Sequence, residues 1–243
     1  MGRLGLAYHD LAKFNQALEC YEEALTISRE FSNHEYEGVI LGYLGLTYGV
    51  LGFWDQAIKY LEKALTIASD LRRRGLHLGD LGTIYYHRGE AESAIKYYEQ
   101  ALTLAREISE RRNEGSWLGY LGRVYRHNGQ VEEAIEYHLQ ALDIARDIGH
   151  KRNVAIHLGD LGQDYFQKKN MELALDYLEQ ALEISREVWD RRHEAIWLGW
   201  LGAIYKEQDR RELAEQKLRQ SLTIFKEIEM ELSGKRIKLR SAI

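Results

Sequence analysis

Two histidine–aspartate pairs carry residue types from which chemistry is often built. His77 stands three residues before Asp80, and His157 three before Asp160. On a helix this spacing sets both side chains on one face. An imidazole beside a carboxylate can move protons or ligate a metal. Each pair falls short of either role. A metal usually takes three or four protein ligands, and each pair offers two. No nucleophile with a fixed base accompanies them, and no glycine-rich phosphate loop follows a strand. The pairs read as hydrogen-bonded side chains on a helix face. The chain is expected to be no enzyme and to hold no metal and no cofactor. An enzyme or metal site at the pairs is the alternative that turnover or bound metal would revive.

The elements that must position these pairs are marked by an internal repeat. Each unit carries a Leu-Gly motif whose second glycine is Gly5, Gly45, Gly82, Gly122, Gly162 or Gly202, at steps of 40, 37, 40, 40 and 40 residues. Three residues later stands tyrosine: Tyr8, Tyr48, Tyr85, Tyr125, Tyr165 and Tyr205. Twelve later stands alanine: Ala17, Ala57, Ala94, Ala134, Ala174 and Ala214. Nineteen later come Ala24, Ala64, Ala101, Ala141, Ala181 and then Ser221. Each unit reads as two helices. The first, such as 114–127, stops at a glycine turn (Leu51-Gly52, Arg88-Gly89, Asn128-Gly129), the usual helix end. The second, such as 131–148, has Ala134, Ile135, His138, Ala141, Leu142 and Ala145 at three- and four-residue steps, an amphipathic pattern. The histidine–aspartate pairs fall two repeats apart, on the order of 20 Å for helices packed roughly 10 Å apart, too far to share an ion.

Composition bounds the rest. The chain has 243 residues, 45% hydrophobic and 29% charged, a formal net charge of −5, one cysteine and no proline. About a dozen prolines would be usual at this length, and their absence suits long helices with short turns. The charge argues against a nucleic-acid binder. Cys20 alone can form no intramolecular disulfide, which suggests a reducing, cytoplasmic setting. No stretch reaches the roughly 18 apolar residues of a membrane span, so no membrane partner is expected.

The repeat resembles the tetratricopeptide repeat over nearly the whole chain. The 40-residue period with its Leu-Gly-x-Leu-Gly-x-x-Tyr motif is most similar to repeats of Pins/LGN-type scaffolds, kinesin light chains and bacterial signalling proteins. The resemblance implies an all-α fold, a right-handed superhelical solenoid of about six helix-turn-helix units. It also implies that first helices line a concave groove for peptides or protein segments. The expected units are about 1–33, 34–70, 71–110, 111–150, 151–190 and 191–228, with 229–243 a C-terminal cap or truncated seventh unit. Repeat 1 lacks most of its first turn, and the Leu-Gly motif fails after residue 228, which suggests a segment excised from a larger protein. The 37-residue step falls at Ser69–Gly79 and reads as a shortened connector.

Within the motif, Leu198, Leu201 and Tyr205 share a stripe facing the partner helix. The second glycine borders that stripe and allows close helix approach; the first, about 60° further round, leaves the groove wall bare. Five residues before the second glycine, Ile40, His77, Trp117, His157 and Trp197 point toward the neighbouring repeat and read as packing. Two before it, Tyr43, Asp80, Tyr120, Asp160 and Trp200 fall on the groove side, where the family commonly has asparagine. They contact a ligand or each other. Further groove candidates are Thr83, Arg123 and Gln163, then Tyr86, Arg126, Phe166 and Lys206, then His87, His127 and Gln167. This mixed surface, with Arg123 and Arg126, suits a peptide with apolar anchors and acidic side chains. Basic runs between units (Arg72-Arg73-Arg74, Arg111-Arg112, Lys151-Arg152, Arg191-Arg192) read as solvated or paired with carboxylates such as Glu132 and Glu133. The expected function is a non-enzymatic protein- or peptide-binding scaffold, the sensor or adaptor segment of a larger signalling protein. Self-assembly into homo-oligomers through the array ends is the alternative.

Overall fold

A computed structural model describes residues 1–240, with side chains as far as Met230. Among the described residues the chain forms twelve helices and no strand. They are α1 (Gly2–Asp10), α2 (Phe14–Glu30), α3 (His34–Val50), α4 (Trp54–Ile67), α5 (Leu71–Arg88), α6 (Ala91–Glu107), α7 (Arg111–His127), α8 (Val131–Asp147), α9 (Lys151–Gln167), α10 (Met171–Glu187), α11 (Arg191–Glu207) and α12 (Arg211–Arg240). Successive pairs form the expected hairpins. The chain divides into two compact units, Met1–Trp117 and the residues from Leu118 onward, with the boundary inside α7. In the expected segment 229–243, the backbone continues α12 as far as residue 240, and residues 241–243 lie outside the described residues.

In both units the small-residue columns make the hairpin cores. Ala57, Ala94, Ala134 and Ala174 are fully buried, as are Ala64, Ala101, Ala141 and Ala181. The tyrosine after each glycine stacks on an aromatic of the second helix: Tyr48 on Tyr60, Tyr85 on Tyr97, Tyr125 on Tyr137 and Tyr165 on Tyr177, at centroid distances of 5.1–5.4 Å. Such pairs add about 0.5–1.5 kcal/mol beyond burial. Where the partner is absent a cation takes its place, Lys13 over Tyr8 and Arg210 over Tyr205. Gly52, Gly89 and Gly129 close their hairpins at φ of 80–87°, the left-handed helix stop that their positions predict.

The two glycines of the motif do different jobs. A Cβ on the second would collide with the residue sixteen positions on, in the second helix of its own hairpin. It would stand 2.6 Å from Leu61 Cγ at Gly45, 2.5 Å from His138 Nε2 at Gly122 and 2.5 Å from Leu178 Cγ at Gly162. Carbonyls Ala57 O and Ala174 O follow at 3.1 and 3.2 Å, so this is the close crossing that the sequence implies. The first glycine is not a bare wall, which corrects the sequence expectation. It is a socket for the large side chain of the next repeat. His77 sits on Gly42 and Trp117 on Gly79 in the first unit; His157 sits on Gly119 and Trp197 on Gly159 in the second. A Cβ on Gly79 or Gly159 would lie 2.2 or 2.4 Å from an indole carbon. The helix propensity lost at each glycine, about 1 kcal/mol, is offset by burying these rings, and Trp197 is 2% exposed.

The 37-residue step also departs from expectation. It shortens a helix, not a connector. α4 has 14 residues where α2 and α6 have 17. Ala68 turns extended at φ −63° and ψ 115°, ending the helix a turn early, and the Asp70 side chain accepts from the Arg73 amide at 2.8 Å to start α5. The register of α5 relative to Gly82 is therefore that of every other first helix.

Candidate functional site

The second unit holds a buried charged network built on three helices. From α7, Arg123 donates to Asp160 of α9 through Nε (3.0 Å to Oδ2) and Nη2 (2.8 Å to Oδ2). Arg126, one helical turn on, donates through Nη2 to Asp160 Oδ1 at 3.2 Å and through Nη1 to Asp164 Oδ1 at 3.0 Å. From α8, His138 places Nδ1 2.6 Å from Asp164 Oδ2 and Nε2 3.2 Å from the Gly119 carbonyl. Both ring nitrogens thus lie within hydrogen-bond distance of an oxygen. His138 and Asp164 have no exposed side-chain surface and Asp160 is 2% exposed. Burial pushes the Asp160 carboxyl up, but the Arg123, His138 and Arg126 charges outweigh it and hold it well below the usual carboxylate range. A buried carboxylate of this kind is retained only with such partners.

Asp160 thus stands buried under Arg123 and Arg126; of the two expected roles, contact with a ligand or with other residues, the structure shows contact with other residues. The same bonds commit both guanidiniums internally, which removes the reason to expect an acidic peptide there. The His157–Asp160 hydrogen bond is absent as well. His157 lies over Gly119 with neither ring nitrogen bonded. Burial pushes it down to about 4 against the opposing pull of Asp160, so at neutral pH it is an uncharged packing plate. His138 and Asp164 were missed as site residues. The signal lay in their columns: His138 fills a position held elsewhere by Tyr21, Leu61, Tyr98, Leu178 and Leu218, and Asp164 one held by Ala7, Thr47, Ile84, Val124 and Ile204.

The matching place in the first unit is apolar. Leu46 stands for Arg123, Gly49 for Arg126, Leu61 for His138 and Ile84 for Asp164. Only the aspartate is kept. Asp80 is 28% exposed, and His77 Nδ1 lies 3.9 Å from its Oδ2, too far for a hydrogen bond. Burial pushes the Asp80 carboxyl up despite the opposing pull of His77.

The remaining candidates fall on the first helices as the repeat implies. In the first unit Tyr43, Thr83 and Tyr86 are half-buried and His87 is exposed. Tyr43 stacks on Tyr21 at 5.5 Å, and the Thr83 and Tyr98 hydroxyls are 2.9 Å apart. In the second unit Tyr120 carries the Arg123 guanidinium over its ring at 5.6 Å. Phe166 meets the edge of Trp200 at 5.8 Å, with Lys169 over its face. Gln163 is half-buried; His127, Gln167 and Lys206 are exposed. Members of the basic runs are paired: Arg73 with Glu35, Arg111 with Glu114, Lys151 with Glu187, Arg152 with Asp190, and Arg191 with Glu194 and Glu227. Among the described residues no group of three or more histidine, cysteine, aspartate or glutamate side chains is placed to hold a metal ion, and no helix is long and apolar enough to cross a membrane.

The family model for the tetratricopeptide repeat matches residues 1–70, 37–107, 72–147, 113–187 and 153–227 in overlapping copies. The chain belongs to the tetratricopeptide-repeat family. Its fold is that of solved repeat arrays. BtubC (BKLC) from P. vanneervenii is similar at 18% identity and a TM-score of 0.76, covering 89% of this chain and 92% of that one. A putative kinesin light chain from Podosopora anserina with nearly identical TPR-like repeats is similar at 22% identity and a TM-score of 0.60, covering 83% and 97%. The Cut9–Hcn1 hetero-tetramer of the APC/C is similar at 21% identity and a TM-score of 0.69, covering 91% of this chain and 38% of that one. Among curated proteins none matches the sequence. The all-α superhelical solenoid class is thereby that of this TPR array.

Proposed function

We propose that this TPR array is a non-enzymatic scaffold that holds a protein or peptide segment along its first-helix faces. One observation carries the reading. The columns that build the hairpins are fixed in type, while two columns beside the glycines differ from repeat to repeat: Tyr43, Asp80, Tyr120, Asp160 and Trp200 at one position, Gly49, Tyr86, Arg126, Phe166 and Lys206 at another. Chemical variety at a fixed register is what recognition of an extended chain needs. The family and the partner-bound Cut9–Hcn1 assembly support the same reading. We read the array as the sensor or adaptor segment of a larger signalling protein. The lone cysteine suits a cytoplasmic setting.

Selection of random displayed peptides on the chain tests this. Enriched peptides are expected whose binding falls on changing Tyr86 or Phe166 to alanine. Failure to enrich any peptide over a control surface would sink the reading.

A second reading has its own observation. On α12, Leu218, Leu222 and Phe225 are 42%, 55% and 41% exposed, whereas Leu178 and Leu182, which match the first two, are nearly fully buried. We infer that this face packs on the end of another array, a heterologous contact. Sedimentation at rising concentration should then show growing mass, lost on Leu222→Glu.

A further inference from the structure

The repeat register lets one site be read from another. In the second unit the Arg123 guanidinium lies between two groups, the Tyr120 ring and the Asp160 carboxylate, which it grips through Nε and Nη2. Tyr120 and Asp160 each stand two residues before the second glycine of their repeats. In the first unit Tyr43 and Asp80 stand at those same two places. The seating is the same, because His77 rests on Gly42 as His157 rests on Gly119. The early end of α4 leaves α5 in the common register.

What differs is the cation. Leu46 occupies the position of Arg123, so the first unit keeps the aromatic and the carboxylate without the guanidinium between them. Among the described residues no arginine or lysine pairs with Asp80. A carboxylate this far withdrawn from solvent is stabilised by a cation more than an open surface carboxylate is.

We propose that Tyr43 and Asp80 form a receptor for an arginine side chain of a bound peptide, the ligand supplying the group that Arg123 supplies internally in the second unit. This rests on the peptide-scaffold reading and names the chemistry of its partner. Arginine fits better than lysine, because the Arg123–Asp160 pair uses two nitrogens of a planar fork.

Two experiments test it. The first needs no ligand. Leu46→Arg should place a guanidinium against Asp80 and raise the thermal midpoint, and adding Asp80→Asn should abolish that rise. An unchanged midpoint would show that the two positions do not meet and would overturn the proposal. The second takes peptides selected from a random display library on the unmodified chain. Enriched sequences should share an arginine. Replacing it with citrulline, its uncharged isostere, and Asp80→Asn should each weaken binding about tenfold or more. The two together should weaken it little further, and Leu46→Arg should block binding. Enriched peptides without a shared cation, or a full citrulline penalty persisting in Asp80→Asn, would overturn the receptor and leave the scaffold reading standing. No enriched peptide at all would sink both.

Discussion

Asp80 and Asp160 stand at one position of the repeat, each three residues after a histidine seated on a glycine. Asp160 is sealed beneath Arg123 and Arg126, with Asp164 and His138 completing the shell. Asp80 has Leu46, Gly49, Ile84 and Leu61 in those places and keeps a quarter of its surface open. A repeat fold thus accepts either an apolar layer or a charged one between the same helices. The charged version must be complete, because Asp160, Asp164 and His138 are buried and each answers for another charge. The apolar version tolerates a lone carboxylate only by leaving it open to solvent on one side.

The sharpest way to break this comparison is to make the charged layer half-apolar. His138→Leu removes one partner of fully buried Asp164 and should destabilise the chain by about 3–5 kcal/mol. Adding Asp164→Ile, which copies the first unit, should recover part of that loss, since a matched apolar layer is often neutral or better. Denaturant midpoints of the single and double variants decide it; purely additive losses would mean that the two residues are not coupled.

A smaller effect separates the glycines. Gly159→Ala sets a methyl about where the Trp197 ring now lies, and should cost roughly 1–3 kcal/mol as the indole is displaced. Gly199→Ala meets nothing nearer than Ser221 Oγ at 3.5 Å, and should gain up to about 1 kcal/mol from helix propensity. Thermal melts that rank these two the other way would refute the socket.

The third test uses pH. His157 has its folded value pushed down to about 4, so between about 6.5 and 4 the unfolded chain holds a proton that the folded chain lacks. Its contribution to stability is intact above pH 6.5 and is lost as pH falls toward 4, by an amount of order 1–3 kcal/mol. His157→Phe should flatten the stability profile across that window while leaving neutral stability close to its starting value. A profile as steep as before would remove His157 from the account.

Most of the fold was legible because its information repeats. Six copies of the glycine, tyrosine and alanine columns average out the accidents of any one helix, and the predicted hairpins match the helices found. The role of the second glycine and the packing of His77, Trp117, His157 and Trp197 followed from angles around a single helix. The socket at the first glycine did not, because it depends on how far one hairpin lies from the next, and helical periodicity is silent about that distance. The charged network escaped for a related reason. Arg123 and Asp160 were each visible as polar residues on an exposed-looking face, but their partnership spans 37 residues and two helices. His138 was hidden by its good fit to an apolar stripe, although its column contains no other histidine.

The alternating rings on the glycine sockets also limit how the array can be rearranged. Histidine and tryptophan take turns, so each hairpin is shaped for a neighbour of the other kind. Removing or inserting a single hairpin would join two surfaces that have never met, whereas moving hairpins in twos would recreate junctions that already exist. The natural building block for lengthening this protein by engineering is a couplet.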